Sequence, residues 1–112
     1  MVNQGDIIWL SFDPRMGTEQ KGHRPALVVS NSGYHKASGN RALVCSITRT
    51  DKNLPIHVRL DERTKTQGVI LSDQITTVDL EARPYKFVET APKDLLSKVI
   101  SIITLFTVIQ AN

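Results

Sequence analysis

The apolar residues of this chain change their spacing once, and that change constrains the fold more than any other feature. Up to about residue 90, short apolar runs alternate with polar loops, which is typical of β-strands. In the tail, apolar residues recur at helical spacing, at Leu95, Leu96, Val99, Ile100, Ile103 and Phe106. The sequence therefore predicts a mainly β fold, with a curled antiparallel sheet of about five to seven strands and a C-terminal helix.

The strand signal can be placed on particular segments. It covers residues 5–12, 26–29, 42–48, 54–60 and 68–80 (one or two strands), with a short edge strand at 84–88. Within 42–48, alternation predicts Leu43, Cys45 and Ile47 on the core face, and Thr48 at the strand end on the more polar face. Within 54–60, the same rule places His57 toward solvent. Thr90 is predicted to cap the helix with its hydroxyl.

Length and composition limit the function classes. The 112 residues predict one domain, 1–112, and a net charge of +3 permits a polyanionic partner without identifying one. The longest apolar run in the tail, 99–109, is interrupted by Ser101, Thr104 and Thr107, so we predict neither a membrane span nor a signal peptide, and a soluble, cytoplasmic protein. Only 5% of residues are aromatic, so a surface that stacks several bases is not predicted.

The metal-binding and nucleophilic residue types give little signal. His23, His35 and His57 lack the pairwise spacing of metal ligands, and we predict no metal and no cofactor. The single cysteine, Cys45, lies in an apolar run, so it is predicted to be a small buried hydrophobe.

Several short motifs occur in a fixed order between residue 5 and about residue 80. Because residues 13–23 make a loop longer than a hairpin needs, this segment is a candidate functional loop. The motifs are Gly5-Asp6-Ile7-Ile8-Trp9, Asp13-Pro14, Gly17-Thr18-Glu19-Gln20, Gly22-His23-Arg24-Pro25, Ser46-Ile47-Thr48, Gly68 to Gln74 and Thr77-Val78-Asp79. Together they resemble the MazF/PemK family of bacterial toxin endoribonucleases.

The resemblance implies a fold, an activity and partners. The fold would be a small SH3-like β-barrel that forms a homodimer. The activity would be sequence-selective, metal-independent cleavage of single-stranded RNA, chiefly mRNA, leaving a 2′,3′-cyclic phosphate and a 5′-hydroxyl. A cognate, MazE-like antitoxin with an acidic, disordered tail would inhibit it.

The resemblance also assigns site residues. Arg24 matches the family's catalytic arginine and Thr48 its catalytic threonine, while Glu19, Asp73 and Gln74 match positions near the substrate. The chain departs from some members at Ser46, where they have proline, and at Leu71, where they have a basic residue. We predict an RNA-binding set of Arg15, Thr18, Gln20, Lys21, Arg49, Lys52, Asp73, Gln74 and Thr77.

The chemistry of these side chains is consistent with such roles. The Arg24 guanidinium can clamp a phosphate with two hydrogen bonds, but an arginine side chain stays charged and is a poor proton donor. The Thr48 hydroxyl can donate to a phosphoryl oxygen. Neither accepts a proton, so we assign the general base to Glu19, with Asp73 second, although Glu19 could equally anchor its loop. His23 would point away from Arg24, since neighbours in a strand face opposite sides.

Two other readings remain open. One is a non-enzymatic toxin of the same fold, similar to CcdB, which acts on DNA gyrase; the chain ends in Ile109-Gln110-Ala111-Asn112, without the Trp-Gly-Ile ending associated with CcdB. The other is a degenerate member that only binds RNA or a partner. Arg24 and Thr48 favour the nuclease over both.

Overall fold

A computed structural model describes residues 2–11 and 23–111. Over these residues the chain forms six strands and two helices, which confirms the predicted mainly β fold with a C-terminal helix. The elements are β1 Asp6–Ser11, β2 His23–Val28, α1 Ser32–Ala37, β3 Arg41–Thr48, β4 His57–Arg59, β5 Val69–Asp79, β6 Tyr85–Thr90 and α2 Lys93–Thr107.

The strands form one antiparallel sheet in the order β4-β5-β3-β2-β1-β6. Both of its faces are covered, which explains why residues 7–10 of β1 and 26–28 of β2 are continuous apolar runs rather than alternating ones. One face buries Ile7, Leu27 and Ile47. The other buries Ile8 and Val44, within a second cluster.

Helix α2 covers the first of these faces. Leu95 and Val99 are buried in the same cluster as Ile7, as the helical spacing predicts. The predicted Thr90 cap is wrong: Pro92 occupies the N-cap without a side-chain hydrogen bond, because Thr90 still belongs to β6. Neither of the two described helices has the length and apolar character needed to cross a membrane.

The predicted strand over 54–60 is wrong in its first half. A turn in which the His57 amide donates to the Leu54 carbonyl (3.0 Å) precedes β4, and Leu54 is 43% exposed. The prediction that His57 faces solvent is also wrong. Its side chain is 5% exposed, and its Nε2 lies 3.2 Å from Oδ1 of Asp73. Pairing with a carboxylate on β5 therefore outweighs the exposure that alternation predicts for this polar residue.

Helix α1 was not predicted, because its six residues show no apolar periodicity. Asn31 caps it, accepting a hydrogen bond from the Tyr34 amide (3.1 Å). His35 is 3% exposed within this helix, and its Nε2 lies 2.7 Å from the Ser30 hydroxyl.

The two edges of the sheet are joined by a side chain rather than by a strand ladder. In the described residues β4 and β6 form the two edges and are not paired with each other. The Glu89 carboxylate on β6 accepts hydrogen bonds from the amides of Lys65 (3.0 Å) and Thr66 (2.8 Å) and from the Thr66 hydroxyl (2.7 Å). Because Lys65 and Thr66 follow β4, the sheet must curl to bring its edges together, as in a barrel that is not fully closed.

Replacing Glu89 by glutamine should destabilise the protein in a pH-dependent way. Burial alone would raise the pKa of Glu89, but the hydrogen bonds from Lys65 and Thr66 outweigh it and lower the pKa. A lowered pKa stabilises the fold above the unfolded value of about 4.3, and this stabilisation is lost as the pH falls through the folded value. We expect Glu89→Gln to reduce the free energy of unfolding by about 1–2 kcal/mol at pH 7 and by much less below about pH 4.

Urea unfolding at the two pH values measures this difference. The exposed Glu62, replaced by glutamine, is the matched control and should change stability little at either pH. An equal loss for Glu89→Gln at both pH values would contradict the assigned role of the carboxylate.

Candidate functional site

An open cleft of about 610 Å³ lies where β2 begins and β3 ends. It combines residues from four strands with the segments that follow β3 and β4. The lining residues are Trp9, His23, Arg24, Pro25, Ile47, Thr48, Arg49, Thr50, Lys65, Thr66, Gln67 and Val88.

The cleft brings Arg24 and Thr48 together. Ala26 on β2 lies opposite Ser46 on β3, and two further residues along each antiparallel strand lead to Arg24 and Thr48. Both residues are partly buried and both border the cleft. Residues that are distant in sequence therefore meet at one solvent-accessible surface.

His23 borders the same cleft as Arg24, although the two residues were predicted to face opposite sides of the strand. The alternation behind that prediction does hold: His23 lies opposite Ser11, and Arg24 lies opposite Leu10. The cleft, however, is at the end of the strand and is bordered by residues of both faces. Residues that alternate along β2 therefore border one cleft.

His23 and Trp9 form a pair of nearly parallel rings. Their centroids are 6.1 Å apart and their planes differ by 9°. Trp9 lies opposite Pro25, two residues along β2 from His23, so the rings are diagonal neighbours on one face. Trp9 is 43% exposed. The sequence alone did not single out this pair.

The charged residues that line the cleft are cationic. Arg24, Arg49 and Lys65 border it, and no carboxylate does so within residues 2–11 and 23–111. Arg49 was predicted to bind a polyanion, whereas Lys65 and Gln67 were missed. These two lie outside the motifs, and the Glu89 contacts with Lys65 and Thr66 hold their segment near β6. Sequence spacing carries no signal for such a contact.

The backbone around Thr48 is tightly fitted. The Thr48 hydroxyl accepts a hydrogen bond from the Thr50 amide (3.2 Å). Gly68, with φ +124°, approaches so closely that a Cβ there would overlap the Thr48 carbonyl group. Glycine at position 68 is therefore required both by its backbone conformation and by the space left beside Thr48.

The other predicted site residues lie elsewhere. Asp73 on β5 is held by His57, while Gln74 and Thr77 are exposed on the same strand, and Lys52 is exposed after β3; none of these lines the cleft. Arg15, Thr18, Glu19, Gln20 and Lys21 lie outside the described residues.

The described residues contain neither a cluster of metal ligands nor an ionised thiol. Over residues 2–11 and 23–111, no group of three or more His, Cys, Asp or Glu side chains is placed to hold a metal ion. Cys45 is fully buried, and burial, with a smaller contribution from Asp73, raises its pKa to about 12. The thiol therefore stays protonated, which confirms Cys45 as a buried hydrophobe.

The fold and the cleft define a small β-sheet protein with an open cleft bordered by cationic side chains. The chain belongs to the family of PemK-like, MazF-like toxins of type II toxin–antitoxin systems, whose family model matches residues 3–107. It is 40% identical over 81 residues to the endoribonuclease toxin MazF of Escherichia coli K12, covering 72% of this chain and 71% of that protein. It is 30% identical over 103 residues to the endoribonuclease PemK of Escherichia coli, covering 88% and 77%.

Solved structures agree with this assignment. The crystal structure of MazF from Deinococcus radiodurans superimposes with a TM-score of 0.83 at 32% identity, covering 94% of each chain. A MazE–MazF crystal structure from the same organism gives a TM-score of 0.78 at 28% identity, covering 94% of this chain and 93% of that one.

Alanine at position 68 should destabilise the protein more than alanine at position 39. Both glycines have positive φ, but a Cβ at Gly39 would meet open space. We expect Gly39→Ala to cost about 1 kcal/mol, from backbone strain alone. Gly68→Ala adds an overlap with the Thr48 carbonyl and should cost about 2–4 kcal/mol. Thermal unfolding of both variants measures the difference, and equal shifts in Tm would contradict the close approach to Thr48.

Proposed function

We propose that this chain is an endoribonuclease toxin that cleaves single-stranded RNA, chiefly mRNA, in the cytoplasm. The observation that carries the proposal is that Arg24 and Thr48 border one open, cationic cleft. The relatives reported above are named endoribonucleases, which supports the same activity.

The shape and charge of the cleft favour an unpaired strand. Arg24, Arg49 and Lys65 can contact successive phosphates, which would make binding salt-dependent. Sequence-selective proteins usually read RNA through unstacked bases of single strands, because side chains do not reach into the narrow major groove of duplex RNA. A cleft between strand ends and loops can receive a splayed base beside its phosphate.

The proposed reaction uses the substrate's own 2′-hydroxyl as nucleophile. Its oxygen attacks the adjacent phosphorus, the bond to the 5′-oxygen breaks, and the products carry a 2′,3′-cyclic phosphate and a 5′-hydroxyl. Arg24 holds two phosphoryl oxygens and stabilises their developing charge, while Thr48 donates to one of them. Because an arginine guanidinium stays charged and is a poor proton donor, water delivers the proton to the leaving oxygen.

We assign the proton acceptor to Glu19. Asp73, the second candidate, lies outside the cleft and is paired with His57, which supports Glu19. Phosphate contacts are assigned to Arg49 and Lys65. The remaining RNA-binding residues stay predictions; they are Arg15, Thr18, Gln20, Lys21, Lys52, Asp73, Gln74 and Thr77.

We also propose two protein partners. A cationic cleft suits the acidic tail of a cognate antitoxin, and the MazE–MazF crystal structure supports such a complex. A homodimer would cover the apolar side chains that remain exposed on β5 and α2. These include Ile75 at 42%, Leu105 at 65% and Phe106 at 69% exposure.

Removal of the Arg24 guanidinium should abolish cleavage without unfolding the protein. We expect purified wild-type protein to cut a long single-stranded RNA in excess EDTA, and Arg24→Ala to lower the single-turnover rate by at least about 10²-fold. The melting curve should stay nearly unchanged, because Arg24 is not in the buried core.

Arg41→Ala is the matched control for this prediction. Arg41 is exposed at the opposite end of β3 from Thr48, so its loss should leave the rate unchanged. End analysis of the RNA fragments should reveal cyclic phosphates. Failure of the wild-type protein to cut any long RNA would favour a toxin that only binds its target.

Replacement of Glu19 by glutamine tests the proton acceptor. An amide cannot accept the 2′-hydroxyl proton, so we expect the single-turnover rate to fall by about 10²- to 10⁴-fold. The rise of the wild-type rate with pH, as the carboxyl ionises, should be lost as well. A Glu19→Gln variant that cleaves at the wild-type rate at every pH would show that Glu19 only anchors its loop.

A further inference from the structure

The indole ring of Trp9 is poorly placed for a residue that serves the core alone. It lies on β1, between the fully buried Ile8 and Leu10, yet it is 43% exposed and borders the cleft. It is also the only tryptophan in the chain. An exposed indole beside phosphate-binding cations is a combination that proteins use to hold single-stranded nucleic acid.

The His23 ring leaves part of the indole face free. Rings stacked centre over centre lie about 3.5–4.0 Å apart, so a centroid separation of 6.1 Å means that the imidazole is not centred in contact over the indole. The imidazole therefore leaves part of the indole face uncovered, in agreement with the 43% exposure of Trp9. The uncovered side is available to another flat, unsaturated ring.

We propose that Trp9 and His23 form a stacking site for one unpaired base of the RNA, beside the phosphodiester held at Arg24. This inference rests on the proposed function and adds to it where the neighbouring nucleotide lies. His23 and Arg24 are consecutive on β2 and both border the cleft, so the ring pair and the guanidinium serve adjacent parts of one strand. The base stacks on the free side of the indole, and His23 extends the stack.

The surroundings favour a nucleobase over a protein side chain. Arg24, Arg49 and Lys65 border the same cleft, and no carboxylate does so within the described residues. A nucleotide offers both a flat ring for Trp9 and a phosphate for these cations. An acidic peptide offers the charge alone, unless an aromatic side chain happens to lie at the right spacing.

Fluorescence of the single tryptophan tests the inference directly. The probe is a randomised pool of single-stranded 2′-O-methyl RNA decamers, which cannot be cut because the nucleophile is blocked. We expect the pool to quench Trp9, and a wholly abasic 2′-O-methyl oligomer of the same length, or an oligoglutamate of the same charge, to quench it little. Equal quenching by all three would overturn the proposal, because the site would then respond to negative charge alone.

Affinities of variants for the labelled pool provide the second readout. Loss of one stacked base should weaken binding by roughly 5- to 150-fold in Trp9→Leu, whereas Trp9→Phe should keep most of the affinity. The slope of log affinity against log salt should stay the same in Trp9→Leu, because no phosphate contact is lost. Arg49→Gln, in contrast, should reduce that slope by about 0.7.

Phe87→Leu is the matched control, since Phe87 is an aromatic residue on β6, 60% exposed, that does not line the cleft. Its affinity should equal that of the wild type. Two results would contradict the stacking site. One is a Trp9→Leu variant that binds as tightly as the wild type, and the other is a variant whose loss of affinity comes with a reduced slope of log affinity against log salt. Base-dependent quenching without any RNA cleavage would support the stacking site while removing the nuclease proposal, so the two can fail separately.

Discussion

The pairing of β3 on both edges is the constraint on which the rest of the structure depends. β3 is hydrogen-bonded to β2 on one side and to β5 on the other, and it contributes residues to the clusters on both faces of the sheet. A strand that is paired on both edges and packed on both faces cannot easily change its register, because a shift by one residue would exchange its two buried faces. The residue at its end, Thr48, is therefore fixed relative to Arg24 on β2.

Most of the fold could be predicted from the sequence, because strands and helices leave different apolar periods. β1, β2, β3, β5 and α2 were predicted close to their observed positions. Two of the exceptions share one cause: a specific polar contact decides the local structure. The Asn31 side chain starts α1 without any apolar pattern, and the His57–Asp73 pair buries a histidine that alternation assigns to solvent.

The candidate site was predictable in part, for a related reason. Arg24 and Thr48 lie in short motifs, so their roles at the site could be predicted from the sequence. Arg49, the residue after Thr48, was predicted with them. Trp9, Lys65 and Gln67 reach the cleft only through tertiary packing. The Trp9–His23 pair depends on the register of β1 and β2, and Lys65 depends on the Glu89 carboxylate at the far edge of the sheet. Neither relation is local in sequence.

The two walls of the cleft are attached to the rest of the fold in different ways. Arg24 and Thr48 stand on strands whose displacement would break the core, whereas Lys65 and Gln67 stand on a segment joined to the neighbouring edge by one carboxylate. Release of the Glu89 carboxylate costs three hydrogen bonds and leaves the sheet ladder intact. The same segment keeps a second attachment, because Arg63 pairs with Asp94 on α2 (2.8 Å). The wall that carries Lys65 and Gln67 therefore rests on side-chain contacts, and it can yield at a lower cost than the wall built on β2 and β3.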